Sequence, residues 1–183
     1  MRNAGLKIRR PFLMLMLLCA IVLTGCAASS PSNDVLIADS RAAIVRFAET
    51  DPGLNDWVNH AHGYAVFPNI GKGGLGIGGS FGRGIVFERG EPIGRTQVTQ
   101  GTVGWQIGIQ SYAQVIFFQD EAALTTFQRE NFEFSAQATA VAATAGAAAT
   151  TSYERGVAVF IDVRGGLMAE ATVGGQKFEY EAL

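Results

Sequence analysis

Between Gly71 and Phe87 the chain alternates with a period of two. Leu75, Ile77, Phe81, Ile85 and Phe87 hold odd positions, while Gly74, Gly76, Gly78, Ser80, Gly82 and Gly84 hold even ones. Alternation of this kind specifies a strand, because successive side chains point to opposite sides of a sheet. A stable helix is excluded, since each interior glycine costs about 1 kcal/mol relative to alanine. One face therefore offers bulk and the other almost no side chain, which suits a close approach of some partner to the backbone. Thr102–Gln110 repeats the device. Val103, Trp105, Ile107 and Ile109 share one face there, and Thr102, Gly104, Gln106, Gly108 and Gln110 share the other. Both segments are expected in one antiparallel sheet, with their bulky faces on a common core and the glycine face open.

The amino terminus has a different logic. Arg2, Lys7, Arg9 and Arg10 precede an apolar run from Phe12 to Leu23, followed by Thr24-Gly25-Cys26. A charged start and a short apolar stretch read as a secretory signal over residues 1–25. The run falls short of the roughly 20 apolar residues that span a bilayer. Leu23-Thr24-Gly25-Cys26 looks like a bacterial lipobox, in which Cys26 is acylated and becomes the first mature residue. The competing reading is an ordinary signal peptide with a chance cysteine. Each buried CH₂ of an acyl chain contributes about 0.8 kcal/mol to anchoring, so multiple chains hold stably. Ala27 follows where Asp would favour inner-membrane retention. By resemblance to Gram-negative lipoproteins, the expected address is the periplasmic face of the outer membrane.

Loss of residues 1–25 would remove four of the 14 Lys+Arg and none of the 16 Asp+Glu, leaving ten against 16 and a net charge of −6. An acidic chain is a poor nucleic-acid binder, because phosphate contacts need clustered cations. Cys26 would be the one mature cysteine, so neither an internal disulfide nor a cysteine metal site is expected.

Residues 26–33 read as a small, polar tether and 34–183 as one domain. A helix from Asp34, its N-cap, should bury Val35, Ala38, Ala42 and Val45, flanked by Ile37, Ile44, Phe47 and Ala48, and should stop near Thr50 before Asp51-Pro52. A short second helix carries Leu54, Trp57, Val58 and Ala61, with Gly63 as its C′ residue. Tyr64–Phe67 reads as a strand broken at Pro68-Asn69. Arg89–Gly94 reads as a turn, and Ala113–Phe118 as a buried run. Asp120 should cap a helix with Ala123, Leu124 and Phe127 inward. Ala136–Ala149 reads as a strand of small residues, and Gly156–Val173 as a hairpin turning at Arg164-Gly165-Gly166. A short strand near Phe178–Tyr180 ends the chain.

Chemistry-bearing motifs are sparse. Gly71-x-Gly73-x-x-Gly76 has the dinucleotide spacing but no helix after it. His60 and His62 lie two apart without a third ligand nearby, which suits capping or surface roles better than a metal. No nucleophile has a visible base, so an enzyme is not expected and no cofactor is implied. Lys72, Arg83, Arg89 and Arg95 make a locally basic region, opposed between residues 63 and 110 by Glu88 and Glu91. It reads either as an anionic-headgroup site assisted by backbone N–H groups or as a solvated edge with scattered charge.

Gly63–Gly84 and Thr102–Ser111, together with Phe117-Phe118-Gln119-Asp120-Glu121, resemble the SYLF domain family over roughly residues 35–180. Eukaryotic members bind phosphoinositides, and some bind actin through parts absent here. Bacterial members are mostly secreted proteins or lipoproteins. The resemblance places Lys72 and Arg83 at the basic positions of the first glycine motif. Thr144-Ala145-Gly146-Ala147 lacks the family's Pro, and Glu154-Arg155-Gly156 stands for its Ser-Lys-Gly.

The expected fold is α+β: a twisted antiparallel sheet of barrel-like curvature, with two helices before it and one inserted. The expected function is a lipid-anchored envelope protein, held by Cys26, that binds anionic phospholipid headgroups through Lys72, Arg83 and Arg95. The alternative is a structural or assembly lipoprotein that binds another envelope protein through the glycine face.

Overall fold

A computed structural model describes residues 31–129, 132–134, 140–173 and 175–183, with side chains left out at 104–106, 132–134, 140–141 and 165–173. Residues 1–25 and the lipobox Cys26 lie outside the described residues. Ser32–Leu183 forms one compact unit.

Helix α1 spans Asn33–Thr50. Ser32 caps it rather than Asp34, its side chain accepting from Val35 N at 3.4 Å. The buried stripe is Leu36, Ser40, Ala43 and Phe47. Val35 and Val45 are exposed, so the helix is turned by about one residue from the expected face. It stops at Thr50, since Asp51 is extended ahead of Pro52. Helix α2, Leu54–His60, follows after a turn. Its cap residue at the far end is Ala61, and Gly63 already begins the sheet.

Strands β1 (Gly63–Glu88) and β2 (Glu91–Phe118) form one long antiparallel hairpin. Pro68-Asn69 does not break β1. The ladder absorbs one extra residue between Phe67 and Ile70 as a bulge. The turn is Arg89-Gly90 alone, with φ of 50° and 86°. Two positive φ values suit a two-residue turn matched to strand twist.

Helix α3 (Glu121–Gln128) is capped by Asp120, which accepts from Ala123 N at 2.9 Å, and it buries Leu124 and Phe127. Short strands β3 (Phe132–Phe134) and β4 (Ala140–Ala142) precede a one-turn helix α4 (Ala147–Thr150). The alanine-rich segment is thus strand only in part, and Gly146 takes φ 85° to open α4; residues 136–139 of that expectation lie outside the described residues.

Strand β5 runs unbroken from Val157 to Val173, and β6 spans Gln176–Ala182. The expected hairpin at Arg164-Gly165-Gly166 does not form. Val163 pairs with Tyr112 and Gly165 with Ser111, so Arg164 is an inserted bulge residue. β5 pairs with β2 from Phe118 to Val103, and β6 continues along the same edge from Gln100 to Gly94. All pairings are antiparallel except the short parallel contact of β4 with β5. The six-stranded sheet does not close into a barrel.

The sheet instead curls. Arg89 N donates to His62 O at 3.2 Å, and the Tyr64 and Phe87 rings stack at 5.1 Å, so the two ends of β1 meet. One core lies between the sheet and α1, α2 and α4, around Phe47, Leu54, Val66, Ile85, Phe117 and Phe160. The other lies on the opposite face beneath α3, around Phe67, Ile70, Val98, Phe118, Phe127 and Phe178.

Candidate functional site

Between its meeting ends, β1 runs out and back. Residues 71–81, with 99–111 of β2 and 163–173 of β5, form a distal bend beyond both cores. At its tip Leu75 pairs with Ile107 and Ile77 with Val103, so one residue of β1 faces three of β2. Gly76 makes the turn with φ 74°. The ladder puts Leu75, Ile77, Val103, Ile107 and Ile109 on the face that carries Val115 and Phe117 into the first core.

No core covers them. Leu75 is 77% exposed, Ile77 74%, Val103 68%, Ile107 54% and Ile109 76%. The expected common core therefore holds for Ile85 and Phe87 but not for the bend. The cause is reach: the first core takes its helical cover from α1, α2 and α4, all against the other end of the sheet. Trp105, expected from sequence on the same face, lies outside the described side chains. Exposed apolar residues in one patch mark a binding surface more often than scattered ones do. From Thr99 to Ser111 the chain carries no charged residue.

The glycine face also divides. Gly71 and Gly76 meet nothing within 4 Å of an added Cβ. Gly82 and Gly84 are sealed by Ile70 and by the Val66 backbone. The open ribbon expected from sequence is therefore open only at the bend, and the rest serves the crossing of β1 over itself.

The three basic residues do not form one cluster. Lys72 stands opposite Gln110, Arg83 opposite Gln97 and Arg95 opposite Ile85. The register puts Arg83 and Arg95 on one face and Lys72 on the other. The Arg83 guanidinium sits 5.0 Å from the Phe81 ring centroid, a cation–π contact at the edge of the bend. Arg95 donates to Glu181 at 2.8 Å and to Asn33 at 3.4 Å. Arg89 lies in the turn, remote in sequence from the bend.

Sequence reasoning missed Arg46, Asp162 and Arg164. Arg164 is held 3.7 Å from Asp162. Burial and then the Arg46 charge push its pKa below the ordinary guanidinium value, with Asp162 opposing. A bulge, not a turn, aims it, and an Arg-Gly-Gly triplet signals either.

His60 Nδ1 lies 2.7 Å from the Asp56 carbonyl, and His62 Nε2 lies 2.9 Å from Glu88. Among the described residues no three His, Cys, Asp or Glu side chains gather to hold a metal. No described helix is long and apolar enough to cross a membrane.

With this geometry the chain was compared with known proteins. Residues 99–181 match the family model described as Ysc84, Las17-binding protein actin regulator. Over those residues the chain is similar to the Ysc84 family. The Ysc84 match takes in the return half of the bend, α3 and the strands that follow, while the first glycine motif lies before it. Beta cell expansion factor A of Aeromonas veronii is 28% identical over 138 residues, 74% of this chain and 52% of that protein. The chain thus spans about half the length of that relative.

Proposed function

We propose that this protein is a lipid-anchored envelope protein whose Ysc84 domain binds the surface of a bilayer containing anionic phospholipid. One observation carries the reading: five aliphatic side chains stand exposed together at the tip of a sheet that buries Val66, Ile85, Val115 and Phe117 on the same face. Such a tip enters the headgroup–acyl boundary to a depth of about 5–10 Å. Each aliphatic side chain contributes about 1.5–3 kcal/mol when fully buried. Cys26 supplies the acyl anchor on the periplasmic face of the outer membrane and keeps the bend near its surface. Lys72, Arg83 and Arg95 add attraction to anionic headgroups from both faces of the ribbon. The activity is binding, and no reaction is assigned.

A second reading has its own support. Among the described residues, no other strand pairs with the outer edge of β1 between 71 and 81. An unpaired edge is a template for strand addition by another envelope protein.

Vesicle flotation separates the two. The chain from Ser32 contains both cores, and it should float with phosphatidylglycerol vesicles and less with phosphatidylcholine alone. Lys72→Glu with Arg83→Glu should reduce the difference. Equal flotation on both vesicles, or none on either, sinks the headgroup reading. A pull-down of an envelope protein that survives the two charge reversals favours the second.

A further inference from the structure

Helix α1 carries a second apolar stripe besides the buried one. Val35, Ala38, Ala42 and Val45 recur at intervals of three, four and three residues. That is the a/d spacing of a two-helix seam. Val35 is 51% exposed and Val45 57%, and Ala38 and Ala42 between them are exposed as well. At about 100° per residue, the stripe is centred about 150° round the helix from Leu36, Ser40, Ala43 and Phe47, which are buried. It therefore faces away from the domain's own core. Charged residues border it on both sides. Asp39 and Arg46 hold the e positions of the repeat, and Asp34 and Arg41 hold the g positions. Charges at e and g choose the partner and its direction. A parallel copy would set Asp34 against Asp39 and Arg41 against Arg46, like charge on like. An antiparallel copy sets e beside e and g beside g, and each of those flanks holds one acid and one base.

We propose that α1 is a homodimerisation element, through which two copies of this chain dock with their α1 helices antiparallel about a two-fold axis level with Ser40. The stripe itself names a second copy as the occupant, because it reads the same from either end. Val35 and Val45 lie equally far from Ser40, as do Ala38 and Ala42. Each valine thus meets the other valine of the opposite copy, and each alanine the other alanine. A two-fold contact demands self-complementarity of this kind. The alanines let the two axes approach to about 8 Å, and the valines close the seam at both ends. The bordering charges are likewise complemented by their own reverse. Two valines and two alanines from each copy make a small interface, below the roughly 800 Å² per partner of a standard complex. The dimer is accordingly reversible, with a dissociation constant of about 100 μM in solution. Tethering of two copies to one surface raises their effective concentration. That gain rests on the anchored reading above, whereas the seam does not.

The chain from Ser32 is one compact unit that keeps the cap of α1 and both cores, and it contains no cysteine. Sedimentation equilibrium should show it passing from monomer to dimer as concentration rises. Ala38→Glu with Ala42→Glu should weaken that association more than tenfold and leave the melting temperature of the dilute protein unchanged, since both positions are exposed. Leu75→Ser with Ile109→Ser should leave association unchanged, which separates this seam from contact through the bend. Direction is read by mixing Val35→Cys with Val45→Cys under oxidising conditions and weighing the disulfide-linked species. Species that join the two variants should exceed self-linked ones about tenfold, because like positions stand about 15 Å apart along an antiparallel pair. The full chain with Cys19→Ser and Cys26→Ser should link in the same way. A chain that stays monomeric up to about 1 mM, association that survives the two glutamates or is lost with the bend variant, or self-linked species as abundant as mixed ones overturns the proposal. Linking confined to the shorter chain gives the stripe to the chain's own first residues and overturns it too. Vesicle flotation enters none of these readouts, so the dimer and the bilayer reading fail separately.

Discussion

Gly84 lies so close under the carbonyl of Val66 that no side chain fits between them. The contact marks the crossing of β1 over its own beginning. Gly63, whose added Cβ would stand 2.7 Å from the Phe87 carbonyl, marks the same crossing from the other end. Backbone cannot step aside as a flexible side chain can. Gly84→Ala should therefore destabilise the domain by about 1–3 kcal/mol or more. Gly71→Ala, where the space is open, should change stability far less. Urea midpoints of the two variants decide this, and equal midpoints would contradict the crossing.

The exposed tip makes the opposite prediction. Leu75→Ser with Ile109→Ser removes apolar groups that have no core around them, so stability should move by less than about 0.5 kcal/mol per site. Binding to vesicles should nevertheless be lost. Thermal melting and flotation of the same sample check both halves. A large loss of stability would mean that these side chains are buried in solution.

Asp51 is a buried clamp between distant segments. Its carboxylate accepts from Ala148 N at 2.7 Å and from Gly53 N at 3.1 Å, tying α4 to the turn between α1 and α2. The Ala148 bond is the main cause that holds its pKa below the ordinary aspartate value, against burial, with Gly53 N and the Gly146 and Ala147 backbone adding to it. A depressed folded-state pKa means stability that is present above about pH 4 and is lost as pH falls through the folded value. Asp51→Asn should cost about 1–3 kcal/mol at neutral pH. It should also flatten the acid limb of the stability curve, measured by denaturation at pH 3 to 7 in the variant and its parent.

Phe117 joins the helices to the sheet. Its ring is buried at 5.7 Å from Trp57, 6.0 Å from Tyr64 and 5.9 Å from Phe160. Phe117→Ala should cost about 3–5 kcal/mol. Trp57 emission should shift to the red in the folded state as its packing loosens. An unchanged spectrum with an unchanged midpoint would refute the role.

What could be read in advance follows from which forces are local. Alternation announced β1 and β2, and Asp51-Pro52 and Asp120 announced helix ends, because those signals act within a few residues. The face of α1 was misread by one position, since Val35 and Leu36 are equally apolar and only the partner surface chooses between them. Arg164-Gly165-Gly166 looked like a turn, but the long edge of β2 recruits it as a bulge. The bend was the largest surprise. Alternating bulk predicts a buried face only when something exists to bury it, and α1, α2 and α4 sit at the other end. Asp51 and Ala148 are 97 positions apart, and nothing in spacing brings them together.

The seam between β2 and its far-edge partners carries one more consequence. Gly94 pairs with Ala182, 88 positions along the chain. That edge therefore stays bare until distant sequence arrives, and loop-closure entropy is spent before any contact rewards it. Folding should be slow, governed by this late zipping, and an incomplete chain should hold an unpaired template prone to clump with its neighbours. Under the lipid-anchored reading proposed above, in which the chain is threaded through a membrane before it matures, delay of that kind would keep it pliable in transit.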